Sequence, residues 1–466
     1  MTMSTQGLMC RLRPLLSDLN ARRAASSTVL ACQNCHRRKQ LRCFSKESNM
    51  TSHGPAKRLQ GQKKESVWTE FSKLCSETKA TNLGQGFPDS AAPEHIRKAL
   101  VDVANSSNPL HFQYTRGFGH IRLVNAIAAL YGKHMSRNID PMGDVLVTVG
   151  AYQSLFNTFM SLINPGDEVI IIEPFFDCYE PMVMMAQGTP RYIPLKPTNE
   201  NPQSAGDFVL DPDELAGMFN EKTKAIVVNT PNNPLGKVFK RSELEMIADL
   251  CKKHDVLCIS DEVYEYMIYP GNEHIRIATL PDMWDRTLTI CSAGKIFSVT
   301  GFKLGWTIAP PHLMDILRTV HQNCTFNAAT PLQEALAISL ELEFSRLNKP
   351  ECYLVSLAKE LEEKRDKLAA MLREIGMTPI IPQGAYFMLA NVSHLDMDLS
   401  DAGDGPRDYK IVRYLTKKVG VATIPCSAFY SEAHKSIGEK FIRFCFIKED
   451  HTLDKAAEKL KKWRDL

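Results

Sequence analysis

The fold is decided by the stretch Val256-Leu257-Cys258-Ile259-Ser260-Asp261-Glu262-Val263-Tyr264, where an apolar run ends in two acids and a tyrosine. Four more apolar runs lie between residues 144 and 308, at 145–149, 168–172, 225–229 and 287–291. Because these runs are apolar on both faces, they predict strands covered on both sides, and amphipathic stretches such as 243–254 predict the covering helices. The sequence therefore predicts an α/β core with a mostly parallel sheet.

The pattern changes after residue 330. Long helical periodicity covers 332–347 and 353–375, and shorter strand-like runs follow at 385–389 and 441–446. The stretch 396–407 is rich in Asp, Ser and Gly, which is typical of a surface loop. We therefore expect a smaller α+β domain after the large one.

Length and composition indicate a soluble, enzyme-sized protein. The chain has 466 residues, of which 44% are hydrophobic, and its formal net charge is only +3. The small net charge indicates that the body of the protein has no positively charged surface for binding nucleic acid. No apolar run approaches the roughly 20 residues of a membrane span. We predict no nucleic-acid partner, no membrane association and no metal site.

The first 46 residues carry much of the basic excess, with nine Lys or Arg residues against the single acid Asp18. This composition is typical of a mitochondrial presequence, and Arg42-Cys43-Phe44-Ser45 resembles a matrix-processing site with cleavage after Phe44. We interpret residues 1–49 as a presequence that targets the mitochondrial matrix or, alternatively, as a disordered basic segment without a targeting function. Translation from Met50 would give a cytosolic form.

Lys295 is the candidate for covalent chemistry. It lies three residues after Ser292 and eight before Lys303, beyond the run at 287–291. An amine that condenses with an aldehyde forms a Schiff base, and pyridoxal phosphate is the common biological aldehyde that carries its own phosphate. Ser292 and Lys303 would hold that phosphate. Taken alone, the segment is equally compatible with a turn that carries two solvated lysines.

Ligands collect at the carboxyl ends of strands in open α/β sheets, and the other runs also end in suitable residues. The segment 150–153 would open a helix whose N–H groups hold a phosphate. An aromatic ring of the segment 173–179 would stack on a pyridine ring, and Asn233 would bind the phenolic oxygen of that ring. Asp261 would keep the ring nitrogen protonated, and Tyr264 would reach the same oxygen along a helical turn.

Each of these signals has an ordinary structural explanation: a strand-to-helix turn, core packing, a Pro-Asn-Gly turn or a helix N-cap. Five of them at successive strand ends are much less frequent by chance than any single one. Together they fit one cofactor, pyridoxal phosphate.

Motifs between residues 57 and 463 carry a family resemblance. They are NLGQGFPD (82–89), QYTRGFGH (113–120), EPFFDCYEP (173–181), the loop around Asn233, SDEVY (260–264), the loop at 291–306 and IRFCF (442–446). The chain resembles fold-type I pyridoxal phosphate aminotransferases, most closely the kynurenine–oxoglutarate transaminase and cysteine-S-conjugate β-lyase group.

That resemblance implies an α/β fold, with a large domain built on a mostly parallel seven-stranded sheet and a smaller α+β domain. It places the N-terminal arm and part of the small domain at 50–104. The large cofactor-binding domain is expected at 105–335 and the C-terminal small domain at 336–466.

The same resemblance implies how the cofactor ring is held. Lys295 would form the Schiff base, and Asp261 would pair with the pyridinium nitrogen. Asn233 and Tyr264 would hold the phenolic oxygen, while Phe176 would stack on the ring.

The cofactor phosphate is implied to lie against the backbone of Ala151 and Tyr152, with Ser292 and Lys303. Tyr114 would reach the phosphate of the neighbouring subunit. A homodimer with shared active sites is therefore expected.

For the substrate, the resemblance implies that Arg443 clamps the α-carboxylate, a role suited to its two-pronged donor. Asn233 and the backbone at Gly86 would contact the same group. Trp68, with Phe326 from the partner subunit, would line the side-chain pocket.

The sequence departs from the group at five positions: Ile296, Cys291, Phe302, Phe112 and Asn327. None of these changes removes a catalytic group. They bear on rate and substrate preference rather than on reaction type.

The implied activity is transamination of L-kynurenine and other amino acids with a 2-oxo acid, which yields kynurenic acid, a step of tryptophan catabolism. A β-lyase side activity is expected with substrates that carry a leaving group on Cβ. One alternative is an aminotransferase that prefers glutamine, methionine or aromatic amino acids, with kynurenine minor. Others are a non-catalytic relative and a regulator that binds DNA through its cysteine-containing N-terminus.

Overall fold

The computed structural model describes residue 54 and residues 56–59, 66–347 and 349–465. The chain divides into two units, residues 1–60 and 61–466. The described part of the first contains one turn of 3-10 helix, Lys57–Leu59. The presequence predicted for residues 1–49 lies outside the described residues. Boundaries after residues 104 and 335 stay predictions.

The second unit contains fifteen strands among its described residues. They are β1 (Thr81–Asn82), β2 (Val145–Thr148), β3 (Glu168–Glu173), β4 (Thr189–Pro194), β5 (Lys196–Pro197), β6 (Phe208–Val209), β7 (Thr223–Asn229), β8 (Leu257–Asp261), β9 (Thr287–Ser292), β10 (Gly305–Ile308), β11 (Thr378–Ile380), β12 (Phe387–Asn391), β13 (Val421–Ala422), β14 (Ile424–Pro425) and β15 (Phe441–Cys445).

Helices alternate with these strands. The α-helices of the described part are Val67–Thr78, Glu94–Ala104, Ile121–Met135, Gly150–Leu162, Tyr179–Met185, Pro212–Gly217, Arg241–His254, Ala293–Ile296, Pro311–Cys324, Thr330–Ser345, Tyr353–Glu374, Arg407–Tyr414, Lys435–Gly438 and Asp450–Arg464.

The central sheet has seven strands in the order β2-β10-β9-β8-β7-β3-β4, which confirms the predicted α/β core. Only β10 is antiparallel to its neighbours; the remaining pairs are parallel. Asn229 and Asp261 are paired at the ends of β7 and β8. The parallel register thus brings the polar residues after neighbouring strands to one edge.

Burial explains why these segments are strands. Every residue of β2, β9 and β10 is buried, as the continuous apolar runs predict. The amphipathic helix Arg241–His254 buries Leu244, Ile247, Ala248 and Cys251 against the same core. One local expectation was wrong, because Tyr264 lies in a turn after β8 and not in a helix.

A second sheet has the order β11-β12-β15-β14 and is antiparallel. Arg443 lies on β15, between β12 and β14, so its backbone is held from both sides. The backbone N–H of Cys445 donates to the carbonyl of Leu83 at 2.7 Å, which ties this sheet to the NLGQGFPD segment. The four-stranded sheet thus brings an arginine to the edge of the larger one.

Among the helices that the structure describes, none is both long and apolar enough to cross a membrane.

Candidate active site

A cavity of 380 Å³ opens at the carboxyl edge of the seven-stranded sheet. Twelve of the residues predicted for the site line it: Trp68, Gly86, Ala151, Tyr152, Phe176, Asn233, Asp261, Tyr264, Ser292, Lys295, Lys303 and Arg443. They come from strands of both sheets, from three helices, Val67–Thr78, Gly150–Leu162 and Ala293–Ile296, and from the connecting loops. The fold therefore brings together around one cavity residues that are spread over almost 380 positions of the sequence.

Lys295 lies in the short helix Ala293–Ile296, directly after β9. Its Nζ donates to the hydroxyl of Tyr386 at 2.8 Å and lies 3.3 Å from the carbonyl oxygen of Gly86. Burial lowers the pKa of the Lys295 amine to about 8, with the nearby Arg443 and Lys303 acting in the same direction. A substantial neutral fraction near pH 7 is what a nucleophile or base requires.

Asp261, the last residue of β8, is a buried carboxylate. Burial raises its pKa to about 6, opposed by hydrogen bonds to the charged form. The Tyr179 hydroxyl donates to Oδ2 of Asp261 at 2.6 Å, and the N–H of Val263 lies 3.4 Å from Oδ1. A buried carboxylate with a pKa near neutrality favours a cationic partner, which would compensate its charge.

Arg443 is fully buried, yet the hydrogen-bond acceptors that hold it within the described residues are neutral. Its two terminal nitrogens donate to Oδ1 of Asn233 and to the carbonyl of Gly84, each at 2.7 Å. Its Nε has no hydrogen-bond partner in the part of the chain that the structure describes. The rings of Phe387 and Trp68 lie 4.1 and 5.0 Å from the guanidinium carbon. A buried cation of this kind is suited to an anionic ligand such as a carboxylate.

The opposite end of the cavity is formed by the first turn of helix Gly150–Leu162, together with Ser292 and Lys303. Gly150 has a φ of +74°, and a Cβ added to it would lie 3.5 Å from Nζ of Lys303. At Gly305, an added Cβ would lie 2.4 Å from the backbone nitrogen of Ala151. These glycines let strand, helix end and lysine approach closely, as a phosphate site requires.

Aromatic rings form the wall between the two ends. Trp68 donates from Nε1 to Oδ2 of Asp177 at 2.8 Å, and its ring centroid lies 6.3 Å from that of Phe176. Phe176 also packs edge-on against Tyr152 at 6.4 Å. This wall offers apolar contact to a planar cofactor or to the side chain of a substrate.

Two predicted residues do not line this cavity. Tyr114 is 82% exposed and Phe326 is 50% exposed, and their rings meet edge to face at 5.6 Å. Phe326 has a φ of +69°, an uncommon conformation for a bulky side chain. Their predicted role in the site of a second subunit stays a prediction.

The sequence reasoning missed three residues of the site. Tyr179 holds Asp261, Tyr386 contacts Lys295, and Phe387 packs on Arg443. Tyr179 lies within a quoted motif but had no assigned role. For Tyr386 and Phe387, the only signal was their place in a predicted strand-like run.

One cluster with the character of metal ligands lies among the described residues, formed by Glu262, Glu265 and His274. The guanidinium of Arg276 pairs with both carboxylates, at 3.7 Å from Glu262 and closer to Glu265. These acids therefore already have a cationic partner in Arg276.

The residues at the cavity fit pyridoxal phosphate. An amine with a lowered pKa suits its aldehyde, and the buried Asp261 carboxylate suits a protonated ring nitrogen. A helix N-terminus with Lys303 suits the phosphate. Asn233 uses its carbonyl on Arg443, so its amide N–H groups stay available to the phenolic oxygen.

Comparison with known proteins agrees with this site. The model of the family described as aminotransferase class I and II matches residues 78–460. The chain is 55% identical over 413 residues to human kynurenine–oxoglutarate transaminase 3, covering 88% of this chain and 90% of the relative. It is 48% identical to human kynurenine–oxoglutarate transaminase 1, covering 88% and 99%. Among solved structures, Bna3p of Saccharomyces cerevisiae has a TM-score of 0.83 at 30% identity, covering 89% of this chain and all of that one.

Proposed function

Because the chain belongs to the class I and II aminotransferases, we propose that it transfers the α-amino group of L-kynurenine to a 2-oxo acid. Its cofactor is pyridoxal phosphate, and its substrates are amino acids and 2-oxo acids. The observation that carries the proposal is the single cavity that contains the Lys295 amine, the Asp261 carboxylate and the Arg443 guanidinium. The choice of kynurenine is supported by the 55% identity to human kynurenine–oxoglutarate transaminase 3.

Bound pyridoxal phosphate supplies an aldehyde for amines and a protonated ring that accepts electrons from the substrate Cα. Asp261 provides the buried negative charge that keeps the ring nitrogen protonated, and Tyr179 keeps Asp261 in place. Phe176 would pack on the ring, and the helix end at Gly150 with Ser292 and Lys303 would hold the phosphate; all four residues line the cavity.

Arg443 orients the amino acid. Its guanidinium binds the α-carboxylate, and the bond between Cα and its hydrogen is thereby held in one direction relative to the cofactor ring. Phe387 and Trp68 pack on the guanidinium and exclude water from this contact. The arginine therefore contributes position as well as affinity.

Lys295 moves the proton. In its neutral form, Nζ would take the proton from the substrate Cα, and the pKa of about 8 keeps this form accessible at neutral pH. In the second half of the reaction, with the 2-oxo acid, the same amine returns a proton to Cα. The chain thus needs one base for both halves.

With kynurenine, the expected oxo-acid product cyclises to kynurenic acid. A substrate with a leaving group on Cβ would expel that group after Cα loses its proton, and this would give the β-lyase side activity. Both outcomes follow from the same proton transfer by Lys295.

The proposal includes a homodimer in which the partner subunit's Tyr114 and the partner subunit's Phe326 complete the site. It is supported by the exposure of both rings, next to the exposed Leu110 and Phe112. Sedimentation of wild type and Tyr114→Asp tests it. A monomeric wild type that is fully active would refute it.

We also propose that residues 1–49 direct the protein to the mitochondrial matrix, with a cytosolic form from Met50. Their composition supports this, with nine basic residues against one acid up to Lys46. A reporter fused to residues 1–49 should enter mitochondria and be cut after Phe44. A uniform cytosolic or nuclear signal would contradict the proposal.

The central test is spectroscopic and kinetic. The purified protein should show the absorbance of a lysine-bound cofactor, and kynurenine should convert it; Lys295→Ala should show neither. Turnover is then compared between kynurenine, glutamine, methionine and phenylalanine. Negligible turnover of kynurenine beside rapid turnover of glutamine would refute the kynurenine assignment and leave the aminotransferase.

A further inference from the structure

We propose that Tyr386 is a positioning residue that fixes the direction of the Lys295 amine. The inference rests on the proposed transamination, in which this amine acts as the base. Tyr386 is 1% exposed and precedes β12, whereas Lys295 follows β9 of the other sheet. Their contact therefore joins the two sheets at the reacting nitrogen.

Three polar atoms form a closed triangle. Nζ of Lys295 lies 2.8 Å from the hydroxyl oxygen of Tyr386 and 3.3 Å from the carbonyl oxygen of Gly86. The same hydroxyl donates to that carbonyl at 2.9 Å. With the Tyr386 proton directed to Gly86, the Tyr386 oxygen accepts from Lys295.

This order of hydrogen bonds determines where the lone pair lies. A neutral lysine amine has two N–H bonds and one lone pair, and two acceptors are present for the two N–H bonds. The two oxygens lie 2.9 Å apart and therefore occupy one side of Nζ, so the lone pair of an amine that donates to them is directed elsewhere, and Lys295 lines the cavity where a ligand would bind. A base acts through its lone pair, so this orientation prepares the amine to take a proton from a bound ligand.

The surroundings hold the triangle in place. The Tyr386 ring packs edge to face on Tyr264 at 5.2 Å and against Phe387 at 4.6 Å. A Cβ at position 86 would lie 2.7 Å from Phe387 and 3.3 Å from the Tyr386 ring, so only glycine allows its carbonyl to approach. Burial, with the neighbouring Tyr264 acting in the same direction, keeps the pKa of the Tyr386 hydroxyl well above its usual value, so the hydroxyl stays protonated and remains a donor.

The test compares Tyr386→Phe with Tyr269→Phe. Tyr269 is a matched control because it is equally buried and its hydroxyl donates to the carbonyl of Ala385, outside the triangle. Both changes remove one oxygen and keep a ring. Circular dichroism and the thermal midpoint report whether each variant folds.

The first readout needs no catalysis. In full-length protein freed of its cofactor, methylation of Lys295 by formaldehyde and a borane reductant is followed against pH by peptide mass spectrometry. Loss of the acceptor disfavours the charged amine, so Tyr386→Phe should move the midpoint down by about one pH unit. Tyr269→Phe should leave it unchanged.

The second readout is kinetic. Tyr386→Phe should lower kcat by about tenfold to a hundredfold at similar KM, and it should enlarge the isotope effect with Cα-deuterated substrate. An unshifted midpoint together with an unchanged isotope effect would overturn the proposal. If Tyr386→Phe does not fold, Tyr386→Met removes the same hydroxyl, and the same shifts are required of it.

Failure of the wider proposal would look different. A wild type that turns over no amino acid would refute the proposed function, whereas the methylation midpoint would still report on the contact between Tyr386 and Lys295. The two ideas therefore fail separately.

Discussion

Asp261→Asn should stabilise the protein without its cofactor and weaken the protein with it. Burial raises the pKa of Asp261 from 3.8 to about 6, so above pH 6 the folded cofactor-free protein holds a carboxylate that would be better solvated in the unfolded chain. A shift of about two units corresponds to about 3 kcal/mol at about 1.36 kcal/mol per unit. Asparagine removes this charge, and its side-chain oxygen can still accept from Tyr179.

The sign of the pH dependence follows from the raised pKa. Well below pH 3.8 the Asp261 carboxyl group is protonated in both the folded and the unfolded state, so it does not change the free energy of unfolding. Above about pH 6 it is ionised in both states and lowers the free energy of unfolding by the full amount. The advantage of Asp261→Asn should therefore be about 3 kcal/mol at pH 8 and about half of that at pH 5. Urea unfolding of both cofactor-free proteins at the two pH values measures it.

Addition of pyridoxal phosphate should reverse the order of stability. Wild-type Asp261 then meets a cationic ring nitrogen, and loss of such a buried pair costs about 3–5 kcal/mol, or about a hundredfold to several thousandfold in affinity. The reasoning would be refuted if cofactor-free Asp261→Asn were no more stable than wild type at pH 8. It would equally be refuted if the difference did not change with pH.

Three further predictions concern the residues around the amine. The rate at which the cofactor-free protein is reconstituted with pyridoxal phosphate should increase with pH up to about pH 8 and then level off, because only neutral Lys295 reacts. A rate that continues to increase up to pH 10 would contradict the lowered pKa of Lys295. Arg443→Lys should lower kcat/KM for amino acids by about a hundredfold or more because the two-pronged contact is lost, while the spectrum of the bound cofactor stays as in wild type; a loss below tenfold would argue against the clamp. Trp68→Phe loses the hydrogen bond to Asp177 and should raise KM for kynurenine about threefold to tenfold at similar kcat, with less effect on glutamine; equal effects on both would show that Trp68 does not select the side chain.

The sequence was most informative about functional residues that lie just after a predicted strand. Asn233, Asp261 and Lys295 were found because each comes shortly after a continuous apolar run, and parallel strands end at a common edge. The seven-stranded sheet was expected only through the family resemblance. The local pattern did not indicate that β10 is antiparallel to its neighbours, because the residue pattern of a short buried strand is the same in parallel and antiparallel pairing.

What the sequence could not supply were contacts between distant side chains. Tyr179 and Asp261 are 82 residues apart, and Gly86 and Tyr386 are 300 apart. Such pairs arise from how the sheets pack, and no periodicity within either segment indicates them. The roles of Tyr114 and Phe326 in the site of a second subunit were expected only through the family resemblance and stay predictions, since a single chain gives no signal for its partner.

The unpaired charge of Arg443 has a consequence for the resting protein. Asn233 and Gly84 offer it neutral oxygens, and its Nε has no partner among the described residues. Small anions such as chloride or acetate should therefore settle on the guanidinium and compete with the amino acid. The affinity measured for any substrate would then depend on the salt in the buffer, and decarboxylated amines, which leave the charge unmatched, would be rejected without any steric barrier.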